Sequence, residues 1–275
     1  MKKKTILIGM LLIALTLAGC TKKSETSIPT SKETLPLETM KDNRIRVGSF
    51  NLASMRYPDF EAQNKLMVSS KVDVVGVQEI DKYTKRQNLD MLKEVANEDY
   101  PEYEFAKAVN WKDQGEYGIG VISKYIITDY TDGIYDMTGE EDRAYQNIKI
   151  NTNNKQKLSI YNTHLAFESV EIRERQINQL LKKISEDNSM YKIITGDFNM
   201  DQTHEEWQIF TKKGFKIANG KDDNWFDTFT WRDDTMKIFA VDNIIVSDNI
   251  EIKRVDMTVT PVSDHNLLYA DLVLN

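Results

Sequence analysis

The stretch Ile193-Ile194-Thr195-Gly196-Asp197-Phe198-Asn199 decides how the rest of this chain folds. A short apolar run bounded by a glycine has the character of a strand buried in a sheet. Side chains alternate along a strand, so Asp197 and Asn199 point one way while Phe198 anchors the opposite face. A carboxylate and a carboxamide side by side at a strand end suit a hard cation, an attacking water and a phosphate oxygen. An Asx-rich turn closing a strand would use the same residue types. The neighbouring segments decide between the two.

The same signature recurs along the chain. A strand over 45–52 ends near Asn51, and one over 72–79 ends on Glu79. A third, over 158–164, ends on Asn162-Thr163-His164, and Ser263-Asp264-His265 precedes a last strand over 266–274. Within a strand expected over 238–246, Asp242 sits in an apolar run, where an unpaired carboxylate costs several kcal/mol. It therefore calls for a partner such as a histidine. Further strands are expected around 103–109, 119–123, 144–151, 228–231 and 255–259, with a hairpin turn at 151–154. Helices are expected over 60–70, 89–97, 170–187 and 204–213. The third of these carries Ile172, Ile177, Leu180, Leu181 and Ile184 on one face, with glutamates early and Lys182-Lys183 late, as the helix dipole favours. Strands in two batches, each interrupted by helices, imply an α/β fold of two sheets packed face to face with helices outside.

The chain has 275 residues, 43 acidic and 36 basic side chains and a formal charge of −7. Its 40% hydrophobic content is enough for a substantial core. Met1-Lys2-Lys3-Lys4 followed by the apolar run 5–17 reads as an export signal, too short for a stable membrane span. It closes on Leu17-Ala18-Gly19-Cys20, with the only cysteine of the chain. This looks like a bacterial lipoprotein signal over 1–19, lipidated at Cys20, with a flexible tether over 20–43. An exported protein, held by its lipid on the extracytoplasmic face of the cell membrane, is the expectation. Loss of 1–19 removes three lysines and no acids, moving the charge to −10. Such a body does not favour nucleic acid through a basic patch, although a bound metal can supply a local positive field. One domain, 44–275, follows, without an internal disulfide.

The series Ser49-Phe50-Asn51-Leu52, Gln78-Glu79, Asn162-Thr163-His164-Leu165, Gly196-Asp197-Phe198-Asn199, Val241-Asp242 and Ser263-Asp264-His265 resembles the endonuclease/exonuclease/phosphatase superfamily. Every motif is in family order from Arg44 to the C-terminus. The resemblance implies a deoxyribonuclease-I-like four-layer α/β sandwich. It implies Glu79 as main Mg²⁺ ligand (Mn²⁺ as a substitute), with Asn51 and Asp264 nearby. His164 and His265 would contact the scissile phosphate in acid–base roles, with Asp242 orienting His265. Asp197 would position or deprotonate the attacking water, and Asn199 would hold a phosphate oxygen. Arg143 and Tyr117 stand where the family often keeps phosphate-contacting side chains. Asn243 and Leu267 depart from the tyrosine and proline common in relatives. His204 reads as surface; Trp225, Phe226, Phe229 and Trp231 read either as core or as flanking the substrate cleft, with core favoured for Phe229 and Trp231. The implied activity is an exported, lipid-anchored, monomeric phosphodiesterase acting on nucleic acid. A sphingomyelinase-like lipid phosphodiesterase, a small-molecule phosphatase and an inactive binding lipoprotein are the alternatives.

Overall fold

Strand parity shapes the molecule. A computed structural model describes residues 39–53, 56–110, 114–230 and 238–275. The expected signal over 1–19, Cys20, most of the tether and Trp231 lie outside these residues. In chain order the elements are β1 (Arg44–Asn51), α1 (Phe60–Ser69), β2 (Val74–Lys82), α2 (Met91–Ala96), β3 (Glu102–Asn110), β4 (Glu116–Ser123), β5 (Ile127–Ile134), β6 (Ala144–Asn151) and β7 (Lys157–His164). They continue with α3 (Val170–Ser185), β8 (Tyr191–Asp197), α4 (Trp207–Thr211), β9 (Lys216–Ile217), β10 (Asp242–Val246), β11 (Ile250–Thr258) and β12 (Leu267–Leu274).

Two six-stranded mixed sheets result, ordered β11-β12-β1-β2-β4-β3 and β5-β6-β7-β8-β10-β9. Each is antiparallel except for one central parallel pair, β1 with β2 and β7 with β8. Alternate side chains of both sheets meet in one apolar layer, which includes Val47, Val74, Ile148, Ile160, Ile193, Ile244 and Leu268. The opposite faces bury against helices. Val75 and Val77 pack with Met67 and Leu92, and Ile194 and Phe198 with Ile177, Leu180 and Phe210. The result is the four-layer sandwich, with Phe198 anchored away from Asp197 as the alternation requires. Burial of each such side chain is worth about 1.5–3 kcal/mol.

Helix α3 starts where its signals place it, with Ser169 Oγ accepting from Ile172 N at 3.2 Å. The packed body begins before β1: Met40 is buried in the layer between the sheets, and Asn43 Nδ2 donates to Leu274 O at 3.0 Å. Strand β5 has no apolar alternation to announce it; Asp129, Asp132 and Gly133 lie in an exposed edge strand. Strand β10 is shorter than the expected 238–246. Of the expected strand at 228–231, the described residues 228–230 form a single bridge, from Phe229 to His265.

Candidate active site

At one end of the layer between the sheets the parity that buries valine and isoleucine continues into polar residues. Asn51 follows Val47 on β1, Gln78 follows Val74 on β2, and Asn162 and His164 follow Ile160 on β7. Asp197 follows Ile193 on β8, and Asp242 precedes Ile244 on β10. The deepest of these close on one another. Gln78 Nε2 donates to Asn162 Oδ1 at 2.8 Å, and Asn162 Nδ2 reaches Val77 O at 3.0 Å and Gly120 O at 2.8 Å, joining the two sheets. Gly76 allows this approach: a Cβ there would sit 2.0 Å from Thr195 Oγ1 of the other sheet.

Glu79 enters the group by a backbone irregularity. The β2–β4 register shifts between Val77 and Ile80, and Glu79 has φ 57°. A bulge of this kind re-aims a side chain that strict alternation would send to the helices. Ala53 and Asn199 are also left-handed, with φ 46° and 50°. Such backbone strain persists only where surrounding contacts over-determine it. Here Ala53 N donates to Asn51 Oδ1 at 3.0 Å, and Asn199 N to Asp197 Oδ1 at 2.9 Å.

Asn51 Nδ2 lies 3.1 Å from Glu79 Oε1 and 3.0 Å from Asp197 Oδ2, bridging the two carboxylates. The same Asp197 oxygen is 3.5 Å from His164 Nε2 and 3.6 Å from His265 Nε2. His265 Nδ1 donates to Asp242 Oδ2 at 2.8 Å, the partner that the buried aspartate required. Ser263 Oγ donates to Asn51 O at 2.7 Å and ties the Ser263-Asp264-His265 turn to β1. Asp264 pairs with Arg56 at 2.5 Å.

The two histidines differ in charge. Burial pulls His265 down, but Asp242 and Asp197 outweigh it and push its pKa up to about 10. It is therefore an imidazolium at neutral pH. His164 is driven well below its usual value by burial, then by Arg143 and His265, and stays neutral. Arg143 Nη1 lies 3.2 Å from His164 Nδ1 and 3.1 Å from Glu141 Oε2. Burial raises Asp197 to about 6 despite the opposing pull of His265.

These groups line a cleft of about 510 Å³. Glu79, Tyr117, Arg143, His164, Asp197, Asn199, Asp264 and His265 reach its surface, with Asn51 and Asp242 beneath the floor. Arg56, Arg86, Glu141 and Phe167 also line it and were not anticipated from the sequence. Each lies in a connection between elements, without a strand-end signal. Arg86 becomes legible only through Asp81, whose Oδ2 accepts from its Nε at 2.7 Å. Phe229 is not core: it is half-buried, lines the cleft and packs its ring, tilted, against His265 with centroids 4.8 Å apart. Tyr117 is both buried and cleft-lining. His204 stands away, half-exposed and 2.9 Å from Asp201. A larger hollow of about 740 Å³ at the far end of α3, lined by Lys182, Lys213 and Asp248, holds no comparable group of acids and imidazoles.

Two groups of side chains have the chemistry of a cation site. Asp197, Asp242 and His265 offer ligand atoms within 4.8 Å of one another. The His265 imidazolium already supplies positive charge there. Glu79 is different: burial first, then Asp197 and Asp264, raise its pKa against the pull of His265. Its Oε1 accepts from the neutral Asn51 amide. A desolvated carboxylate beside two others fits a divalent cation of the kind oxygen ligands hold.

Paired carboxylates, one charged and one neutral imidazole and arginines stand together at the ends of two packed mixed sheets of the deoxyribonuclease-I-like fold, a set suited to phosphoester hydrolysis. The profile of the Endonuclease/Exonuclease/phosphatase family matches residues 48–265, and the chain belongs to that family. Its members are typically hydrolases of phosphoester bonds and generally depend on a divalent metal. No curated protein matches this sequence. Among solved structures the chain is similar to the endonuclease/exonuclease/phosphatase from Bacteroides vulgatus, with 21% identity over 84% of this chain and 99% of that one, and a TM-score of 0.69. It is similar to the mannosyl-6-phosphatase Bt3783 of Bacteroides thetaiotaomicron VPI-5482, with 20% identity over 83% and 99% of the chains and a TM-score of 0.63. A further relative in fold is D. rerio TDP2 complexed with a single-strand DNA product, with 16% identity over 84% and 99% and a TM-score of 0.65. At these identities the likeness is one of fold.

Proposed function

We propose that this protein is an exported, lipid-anchored, Mg²⁺-dependent phosphodiesterase, with nucleic acid as its substrate. The observation that carries the chemistry is the convergence of one protonated and one neutral histidine on one Asp197 oxygen. Groups whose surroundings push their proton affinities apart divide acid from base work. Asp197, ionised above a pH of about 6, takes the proton of the attacking water. The His265 imidazolium, held by Asp242, stabilises charge on the phosphoryl oxygens and returns a proton to the leaving oxygen. Arg143 and the remaining amide hydrogen of Asn199 orient non-bridging oxygens; the other donates to Leu165 O at 2.9 Å. A Mg²⁺ at Glu79, with Asn51 and Asp264 beside it, would supply further charge neutralisation at the phosphate.

A second reading has one observation in its favour. Arg56, Arg86 and Arg143 all line one confined cleft in an acidic protein, which also suits a small phosphomonoester such as a hexose 6-phosphate. Incubation with plasmid DNA, single-stranded RNA, sphingomyelin vesicles and mannose 6-phosphate, each with Mg²⁺, Mn²⁺ or chelator, separates the readings. Metal-dependent cleavage of nucleic acid is expected. Lipid turnover with intact plasmid, or release of phosphate from the sugar alone, reverses the order. Anchoring is read separately: Cys20→Ser should leave the membrane fraction or remain unprocessed, and a soluble, unacylated wild type contradicts it.

A further inference from the structure

Phe167 stands three residues beyond His164, outside any helix or strand, and is 59% exposed. Single exposed apolar side chains are ordinary on protein surfaces and need no explanation. Two observations set this one apart. It lines the cleft of His164, Asp197 and His265. Its backbone is also held by hydrogen bonds on both sides. Leu165 N donates to Asp197 O at 3.0 Å, and Leu165 O accepts from Asn199 Nδ2. Ala166 N donates to Gln176 Oε1 at 2.9 Å, and Phe167 O accepts from Arg173 Nη1 at 3.2 Å. Arg173 is itself buried and paired with the buried Glu206 through Nε at 3.0 Å and Nη2 at 2.9 Å. On the far side Glu168 Oε1 accepts from Glu140 N at 2.8 Å, joining the segment to the loop that carries Glu141 and Arg143.

A buried ion pair that serves a surface loop is costly to desolvate, and its use here is to fix the loop's backbone. The consequence is an aromatic ring presented to the cleft with little freedom left to lose on binding. A planar, uncharged ring exposed at the cleft can stack on another planar ring. Among phosphodiesters, nucleotides whose base is not covered by neighbours carry such a ring beside the scissile bond.

We infer that Phe167 is a stacking platform for an unpaired nucleobase adjoining the scissile phosphate, making single strands and strand ends the preferred substrate. This inference rests on the nucleic-acid reading above. The preference lies in the base face and not in its hydrogen-bonding edge, so it tolerates all four bases.

The test compares kcat/KM on a single-stranded oligonucleotide with that on the same strand carrying tetrahydrofuran abasic residues throughout. The wild type should favour the base-bearing strand by on the order of tenfold. Phe167→Ala should collapse that ratio toward one, and Phe167→Trp should keep it. Because the ratio is internal to each variant, a loss of folded protein lowers both rates and leaves it in place. A wild-type ratio of one, or a ratio unmoved by Phe167→Ala, overturns the role of Phe167 while nucleic-acid cleavage stands. Failure to cleave any nucleic acid overturns both.

Discussion

The two ends of the layer between the sheets are made from the same strands and the same face, yet they behave as different materials. At one end Val47, Val74, Ile160, Ile193 and Ile244 fill space and contribute by leaving water. Within a few residues, Asn51, Gln78, Asn162, Asp197 and Asp242 occupy the continuation of that layer, almost wholly buried. Burial of this kind destabilises unless each group is answered by another. The answers are largely present, but Asp242 Oδ1 and Gln78 Oε1 have no partner among the described residues. The difference teaches where the fold spends stability. One end is optimised for packing and the other holds ionisable groups in unfavourable surroundings so that they can react.

The largest effect should come from splitting the Asp242–His265 pair. His265→Ala and Asp242→Asn should each lower kcat by about 10³, and the double variant by little more. Losses that multiply would show two residues working independently.

Next comes the pH dependence of stability, measured as urea midpoints with chelator present. His265 holds its proton to a pH of about 10 in the folded protein. Its unfolded value is about 6.5. The folded state thus binds the extra proton between these values, and the stability it adds is full below 6.5 and lost as pH rises toward 10. The wild type should weaken by a few kcal/mol across that window. His265→Gln should show a much flatter profile; an equal slope would place the charge elsewhere.

A smaller cost is expected at the junction of the two ends. Gly76→Ala puts its Cβ 2.0 Å from Thr195 Oγ1 and 2.6 Å from Asn162 Oδ1. It should lower stability by about 2 kcal/mol through overpacking, read by thermal unfolding. An unchanged Tm would mean the sheets are free to part there. The smallest effect belongs to the apolar end. Ile160→Val should cost about 1 kcal/mol and leave kcat/KM as it was, and a drop in kcat/KM would erase the contrast between the ends.

Much of this contrast was legible in the sequence because it follows from alternation. Asp197, Asn199, His164 and Asn51 each stand at the end of an apolar strand, and a buried Asp242 implied a histidine. The two-sheet architecture followed from the same strands. What alternation could not convey lies where it breaks. Glu79 reaches the site through a bulge and a left-handed φ, for which the sequence carries no glycine signal. Arg56, Arg86 and Phe167 come from irregular connections whose course is set by distant contacts such as Arg173 with Glu206. Phe229 looked like core because a large aromatic in an expected strand usually is. Here its neighbour is His265. Strand β5 was invisible since an edge strand needs no apolar face on its exposed side.

The account stands most directly on Glu79 as the carboxylate that draws a divalent cation to the polar end. Hydrolysis of bis-p-nitrophenyl phosphate should be measured for the wild type and Glu79→Gln across a Mg²⁺ titration, with circular dichroism to verify folding. The account predicts wild-type turnover that chelator abolishes, and a folded Glu79→Gln slower by a factor on the order of 10² or more, with a weakened Mg²⁺ response. Full turnover in chelator, or a Glu79→Gln variant as fast as the wild type, would contradict it.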